Sequence, residues 1–347
     1  MVLDDLVHKV PAWLNSNSPV SEIVLSSRVR LARNLASVPF PERASKSQLM
    51  EVVNVVRDAV KEITELKNGL FIINEKIQEL DREMLLERHH ISKDFLRRKV
   101  GTAVVISPNE EISIMINEED HLRIQVFVPA LELGRAFEIA NRIDDALENL
   151  LGYAFSTKWG YLTACPTNVG TGMRASVLLH LPGLLHSQKI RALIDELRAD
   201  GYSVRGLYGE GTRIEGNFFQ ISNQVTLGVR EEDIIENMIN KAQEIIELEE
   251  DARRKLLATA RAQLEDKIWR GYGILANARV LTSTEFVNLA SAVRLGIGLG
   301  ILTEPSIKVL NRLLLQTMPA HLQKIIGKTI PPEERDIRRA LFVRKQL

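Results

Sequence analysis

The hydrophobic period of this chain changes once along its length, and that change limits the architectures open to it. From Glu231 to Trp269 apolar residues recur at helical spacing almost without a break, and helical segments continue over Ser283–Leu295, Glu304–Leu315 and Pro332–Arg344. The punctuation there is Gly296, Gly298, Gly300, Pro319 and Pro331-Pro332. Before about Val229 helices and short period-two segments are mixed. Ser45–Leu66 places Leu49, Val52, Val56, Val60 and Ile63 on one helical face, and Leu131–Leu151 and Gln188–Ala199 also read as helices. Leu70–Ile73, Val100–Ile106, Glu111–Ile116, Tyr161–Ala164, Tyr202–Leu207 and Gly216–Ser222 read as strands. The turn Ser107-Pro108-Asn109-Glu110 suggests a hairpin. His121–Val128 alternates cleanly, with Leu122, Ile124, Val126 and Val128 on one face and His121, Arg123 and Gln125 on the other. A sheet-containing region followed by an all-helical region is expected, with no internal repeat.

Lys+Arg and Asp+Glu are both 45, so the formal net charge is zero and gives no general nucleic-acid or anionic-membrane signal. The one cysteine, Cys165, excludes an intrachain disulfide and leaves no basis for a cysteine metal cage. The start, Met1-Val2-Leu3-Asp4-Asp5-Leu6, is acidic and lacks the apolar core of a secretory signal. No run approaches the roughly 18–20 apolar residues of a membrane helix; Leu295–Leu302 is too short. A cytoplasmic protein is expected.

Four polar clusters fall at strand ends or turns, where sites are usually built. In Ser26-Ser27-Arg28-Val29-Arg30 an extended backbone puts Arg28 and Arg30 on one face, where they repel each other unless an anion lies between them; the alternative is a solvated basic edge strand. In Asn117-Glu118-Glu119-Asp120-His121-Leu122-Arg123, period two sets Glu119, His121 and Arg123 together; the alternative is a surface turn with an ion pair worth little. Cys165-Pro166-Thr167-Asn168-Val169-Gly170-Thr171-Gly172-Met173-Arg174-Ala175-Ser176 offers backbone N–H groups and then Arg174, as phosphate-cradling turns do, but it is not a Walker loop. Arg205-Gly206-Leu207-Tyr208-Gly209-Glu210-Gly211 pairs an arginine with a carboxylate and leads to Ile221-Ser222-Asn223.

Taken in order over roughly Ser21 to Asp251, these blocks resemble the signatures of the phosphagen kinases, ATP:guanido phosphotransferases such as the creatine and arginine kinases. The resemblance implies an α+β fold: a guanido-kinase catalytic domain with an antiparallel, glutamine-synthetase-like sheet flanked by helices, then an all-helical C-terminal domain. It implies ATP and Mg2+. Arg28, Arg30, Arg123, Arg174 and Arg205 would grip the triphosphate, with Ser26, Ser27, Val29, Ala175, Ser176, Val177, Leu178, Gly206, Leu207, Tyr208, Gly209 and Glu210 in the same binding segments. Arginine suits this work because its planar fork binds phosphate oxygens bidentately and stays charged. Glu119 and Glu210 would face the substrate guanidinium, Glu118 would support Glu119, Cys165 would sit beside a non-reacting guanidinium nitrogen, and His90 would lie beside the adenine. No protein metal site is implied, because relatives hold Mg2+ through phosphate oxygens and water.

Departures from that family point to one branch of it. The Ser-Ser-Arg-Val-Arg block starts at residue 26, so the helical domain that precedes it in phosphagen kinases is expected to be missing. A helical region of about 100 residues follows instead. That pattern, with Arg335-Asp336-Ile337-Arg338-Arg339-Ala340 near the end, is similar to the bacterial protein-arginine kinases. There the motif forms a phosphoarginine pocket, and Arg335 and Arg339, at i and i+4, would hold the phosphate. The expected organisation is an extension over 1–21, a catalytic domain over 22–252 and a docking and regulatory domain over 253–347. The resemblance implies phosphorylation of protein arginines, Clp unfoldase–protease and zinc-binding activator partners, a heat-shock transcriptional repressor as target, and a homodimer. Alternatives are a kinase of a free small guanidino compound and a non-catalytic phosphoarginine-binding adaptor.

Overall fold

The computed structural model describes residues 2–16, 18, 20–98, 100–206 and 215–347, so Leu207, Tyr208, Gly209 and Glu210 lie outside the described residues. In chain order the elements are α1 (Asp5–His8), β1 (Val24–Arg33), α2 (Lys46–Glu62), β2 (Leu70–Ile73), α3 (Glu79–Glu87) and α4 (Lys93–Arg97). Then come β3 (Ala103–Ile106), β4 (Ile112–Ile116), β5 (Leu122–Pro129), α5 (Leu133–Leu151), β6 (Phe155–Ser156), β7 (Gly160–Tyr161), β8 (Met173–His180), α6 (Pro182–His186), α7 (Ile190–Ala199), β9 (Tyr202–Arg205) and β10 (Phe218–Asn223). The helical part comprises α8 (Glu231–Thr259), α9 (Arg261–Asn277), α10 (Ser283–Gly298), α11 (Ile307–Gln316), α12 (Pro319–Ile326) and α13 (Pro332–Arg344).

Eight strands form one antiparallel sheet in the order β2-β3-β4-β5-β1-β8-β10-β9, and β6 pairs with β7. The Ser26–Arg30 segment is therefore central, flanked by β5 and β8, and the edge-strand alternative fails. Alternation gives the sheet two different faces. Val29 and Leu31 of β1, Ile124 and Val126 of β5, and Ala175 and Val177 of β8 enter a core with α2, α5 and α8. On the other face Leu25, Phe127, Leu178 and Phe218 lie under α9, α10, α11 and α13, packed against Ile268, Phe286, Val293 and Leu313. On the β2–β4 side of that face Leu70, Ile72, Val104, Ile106 and Met115 form a third core with Met84 and Leu85 of α3 and Phe95 of α4, and between the two cores the face carries arginines.

The helical region is thus built onto the sheet. Arg294, 1% exposed, donates to Asn311 Oδ1 at 2.6 Å and to the carbonyls of Ser21 and Glu22. Asn311 in turn donates to the Leu14 carbonyl. Residues 252 and 253, the expected domain boundary, fall inside α8.

Several elements differ from the sequence expectation for tertiary reasons. The run Glu231–Trp269 breaks at Ala260 without glycine or proline, because α8 serves the first core and α9 the second. Pro319, read as a break, starts α12, where its missing N–H costs nothing. The strands expected over Tyr161–Ala164 and Val100–Ile106 shorten to Gly160–Tyr161 and Ala103–Ile106. Among the described residues no helix is long and apolar enough to cross a membrane.

One buried pair fixes the strand that carries the first two arginines. Arg33 at the end of β1 donates from Nε and Nη2 to Asp144 of α5 at 2.9 and 2.6 Å, and from Nη1 to the Thr171 carbonyl at 2.8 Å. The guanidinium lies 3.5 Å from the Tyr161 ring centre. Gly172 (φ +64) is required beside it, since a β-carbon would fall 2.6 Å from the Ala32 carbonyl oxygen. Asp144→Ala leaves buried Arg33 with Glu231, 3.4 Å from Nη2, as its remaining carboxylate and is expected to cost about 3 kcal/mol in urea unfolding, the lower end for a broken buried pair. A loss below about 1 kcal/mol, the range of an exposed pair, would contradict that role.

Candidate active site

Period two and register assemble the arginines. Arg28 and Arg30 leave β1 on the same face, Arg30 lies opposite Arg174 of β8, and Arg28 lies opposite Ser176. On the other flank Arg123 of β5 stands opposite Ala32. Arg205 ends β9. Burial and the neighbouring Arg123 and Arg205 pull Arg28 down to about 9. Arg30 is pushed well below its ordinary value by burial and by Arg28, Arg123, Arg174 and Arg205. Arg28 keeps two contacts, Nε to Ser176 Oγ at 3.3 Å and its guanidinium 5.0 Å from the Phe127 ring centre. Arg30 Nε is buried with no hydrogen-bond partner among the described residues. Packed cations and an unpaired buried donor both call for a polyanion.

The acidic turn stands beside them. Glu118 is buried and accepts from Arg123 Nη1 (2.8 Å), from the N–H of Glu119 (3.0 Å) and from Ser92 Oγ. It orients both the arginine and the next carboxylate. Glu119 is more exposed and pairs through Oε2 with Arg123 Nη2 at 3.0 Å. Burial raises the Glu119 pKa, assisted by Asp120, Glu118 and Asp94 against the opposing effect of Arg123. Its other oxygen has no hydrogen bond among the described residues, and Glu119 lines a cavity.

That cavity, of about 490 Å³, is polar and is lined by Glu119, Cys165, Thr167, Asn168 and four of the arginines. Cys165 Sγ lies 3.0 Å from Thr167 Oγ1, and Asn168 and Thr167 accept from Arg174. A second lobe of about 440 Å³ is lined by Arg28, His89, Ile91, Met115, Met318 and Pro319, among others. Arg30, Asp94, Arg123 and Arg205 line both lobes, which makes them one groove.

The groove also separates the expected site residues. Ser27, Val29, Ala175 and Val177 point the other way: Ser27 Oγ donates to the Ala130 carbonyl at 2.7 Å, and the other three lie in the first core. Ser26, Ser176 and Leu178 face the groove side around Trp13 and Phe127. Gly206 follows β9, outside both lobes.

Three expectations need correction. His90 is not beside the groove: it is buried with Nε2 2.8 Å from Glu110 Oε2, in a cluster with Arg88, and the preceding residue, His89, lines the lobe instead. His121 does not join Glu119 and Arg123, because β5 begins only at Leu122; its ring is buried, accepting from the Leu35 N–H and bonded to the Pro39 carbonyl. Arg339 does not lie on the surface beside Arg335: its guanidinium is buried on the carbonyls of Thr317 and Leu281 and on Asp336. Arg335 and Asp336 are half-buried, Ile337 and Arg338 are exposed, and Ala340 is core.

Sequence reasoning also missed supporting residues. Asp120 Oδ1 accepts from the Ala164 N–H and from Asn34 Nδ2, both at 2.6 Å, so the acidic turn is bolted to the segment just before Cys165. Asn223 accepts from the Ala175 N–H and donates to the Met173 carbonyl, fixing the strand that carries Arg174. Both belonged to quoted blocks, but only the fold gives them a task.

Comparison with known proteins gives a concordant result. Residues 51–252 match the family model "ATP:guanido phosphotransferase, C-terminal catalytic domain", and residues 261–347 match "Protein-arginine kinase McsB C-terminal domain". The chain is 46% identical to the protein-arginine kinase of Pelotomaculum thermopropionicum, covering 96% of this chain and 95% of that one. It is 46% identical to that of Halothermothrix orenii, over 100% and 99%. Among solved structures, the duplicated taurocyamine kinase of Schistosoma mansoni with bound transition state analog components aligns with TM-score 0.62 and 28% identity, over 72% of this chain and 38% of that chain. A lombricine kinase aligns with TM-score 0.60 at 23% identity, over 70% of each, a likeness of fold alone.

Arg30→Met removes one of the crowded charges. Without polyphosphate its unfolding free energy is expected to rise by about 0.5–2 kcal/mol, while affinity for inorganic tripolyphosphate falls by roughly tenfold or more. Melts with and without tripolyphosphate check both; a variant less stable without the anion would mean that repulsion is not stored there.

Proposed function

The chain belongs to the ATP:guanido phosphotransferase family and is an ATP-dependent phosphotransferase, and we propose that its acceptor is the guanidinium of arginine residues in proteins. The observation that carries this is the crowding of Arg28, Arg30, Arg123, Arg174 and Arg205 on one sheet face, with Glu119 at its border. The arginines are a polyphosphate grip and the carboxylate is a grip for a planar cation. Identity over nearly the full length, helical region included, to relatives named protein-arginine kinase supports the protein-borne acceptor.

In this reading the triphosphate lies along the arginines and the substrate guanidinium enters the polar lobe against Glu119. A guanidinium nitrogen attacks the γ-phosphorus in line; the N–P bond forms as the bond to the ADP oxygen breaks. The nitrogen's proton passes to Glu119, and the charge developing on ADP is taken up by the arginines. The transfer is mostly positioning and charge stabilisation. Arginine's pKa of about 13.8 makes its nitrogens poor nucleophiles, so a fixed proton acceptor contributes roughly 10²–10⁴-fold. Glu118 holds Glu119 and Arg123 in register, Cys165 borders the acceptor, and Glu210, outside the described residues, is assigned the second carboxylate on sequence grounds. Among the described residues no three His, Cys, Asp or Glu side chains converge on a metal position; Mg2+ would enter on the nucleotide's own phosphate oxygens and water.

The proposal extends to the consequence of the mark. On the resemblance to bacterial protein-arginine kinases, phosphoarginine directs its bearer to a Clp-type unfoldase–protease within a stress response, a heat-shock repressor is a target, a zinc-binding protein activates the kinase, and the working form is a homodimer. A second reading, a kinase of a free guanidino compound, is favoured only by the 28% likeness to a taurocyamine kinase.

With ATP, Mg2+ and an unfolded arginine-rich protein, phosphate should be found on arginine nitrogen under non-acidic mass spectrometry. Turnover of free arginine matching that of the protein would overturn the acceptor assignment. Glu119→Gln is expected to lower the rate by at least roughly tenfold. Because Glu119 acts as the carboxylate and its pKa is raised, activity is complete above that pKa and lost as pH falls through it. The acid limb of initial ADP release should therefore lie above the ordinary glutamate value of 4.5, and a limb at or below it would count against Glu119 as the proton acceptor.

A further inference from the structure

The described residues of the catalytic region do not enclose the less polar lobe of the groove by themselves. Leu86, Ile91 and Met115 supply part of the wall, and His89, lowered to about 3 by burial and by Arg28, presents a neutral ring. The remaining side is Met318 and Pro319, at the turn between α11 and α12 of the helical region. That turn is held from two directions. Glu87, which lines the same lobe, accepts from the N–H groups of Ala320 and His321, each at 2.7 Å. Arg339, 1% exposed, donates from Nε to the Thr317 carbonyl and from Nη1 to the Leu281 carbonyl, both at 2.8 Å. Lys324 then ties α12 to Asp81 of α3, at 2.7 Å. A guanidinium buried on two carbonyls and a carboxylate is a fixed brace, since loosening it leaves carbonyls without donors.

We propose that the Thr317–Pro319 turn is the outer wall of the nucleotide-base subsite, with Met318 and Pro319 against the base and with Arg339 and Glu87 as positioning residues that hold the turn there. This rests on the ATP reading of the groove and goes beyond it, because it makes the helical region part of the nucleotide site. Arg28 and Arg30 line the same lobe, so a base seated against Met318 keeps its phosphates on the arginines. The turn's dual attachment links two equilibria: base binding favours the docked α12, and the docked α12 favours base binding to the same degree. The Arg-Asp motif of α13 thereby acquires an inward task, bracing the wall from behind.

The test uses the full chain and two probes, MgADP and inorganic tripolyphosphate with Mg2+, titrated calorimetrically. Only MgADP has a base. Met318→Ala should weaken MgADP by about three- to tenfold, the loss of part of one apolar contact, and leave tripolyphosphate within about twofold of wild type. Arg339→Ala should show the same selectivity, and Arg339→Lys, which keeps the charge but not the fork, an intermediate loss. General loosening would weaken both probes alike. Should Arg339→Ala not fold, Met318→Ala decides the matter alone. Unchanged MgADP affinity in Met318→Ala, or equal loss of both probes, overturns the wall while leaving the ATP reading intact. A wild-type chain that binds neither probe overturns both.

Discussion

Five guanidinium groups gathered on one face of a sheet repel one another, and the fold is arranged so that they cannot move apart. Strands lie about 4.8 Å apart with alternate side chains on alternate faces, so arginines at matched register positions on neighbouring strands are forced close. Arg30 opposite Arg174 is such a pair. Their strands are central, hydrogen-bonded on both sides, and anchored beneath by a core of Val29, Leu31, Val126, Ala175 and Val177. The unfavourable charge density is thereby preorganised for a polyanion, which needs no further rearrangement when negative charge shifts along it.

The same constraint explains the acids. A lone carboxylate beside such a cluster would be drawn into it and neutralised as a surface ion pair. Here two successive carboxylates divide the work. Glu118, buried, is spent on Arg123, on Ser92 and on the backbone of its neighbour. Glu119 gives one oxygen to Arg123 and lines the cavity. The position of Glu119 is also a property of Asp120, which ties this turn to the segment before Cys165.

How much of this was legible in the sequence depended on the kind of interaction. Period two in Leu122–Val128 and the Ser26–Arg30 block gave the strands and the shared face of Arg28 and Arg30, because alternation is a local property of an extended chain. The same rule failed for His121, one residue before β5 begins, where turn geometry replaces alternation. His90 and His89 are adjacent and chemically identical; His90 is bonded to Glu110, which also holds Arg88 and belongs to a different segment of the chain, while His89 meets the groove. The inward turn of Arg339 was equally hidden: helical spacing places it on a face with Arg335, but whether that face meets water or the carbonyls of Leu281 and Thr317 is set by packing.

The border between charge and apolar packing on the site face binds the two parts of the chain together. Phe127 lies under the Arg28 guanidinium and also belongs to the core shared with the helical region. Ser176 bonds Arg28, and Leu178, the next residue of β8 on that face, joins the same core. Strands β5 and β8 therefore change from site to interface within two residues. Removing the helices would bare Leu25, Phe127, Leu178 and Phe218 beside the arginine cluster, an apolar patch adjoining repelling cations with nothing to offset either. The helical region thus covers the apolar part of the site face on β1, β5, β8 and β10, as α3 and α4 cover the part on β2–β4, and the groove lies between them.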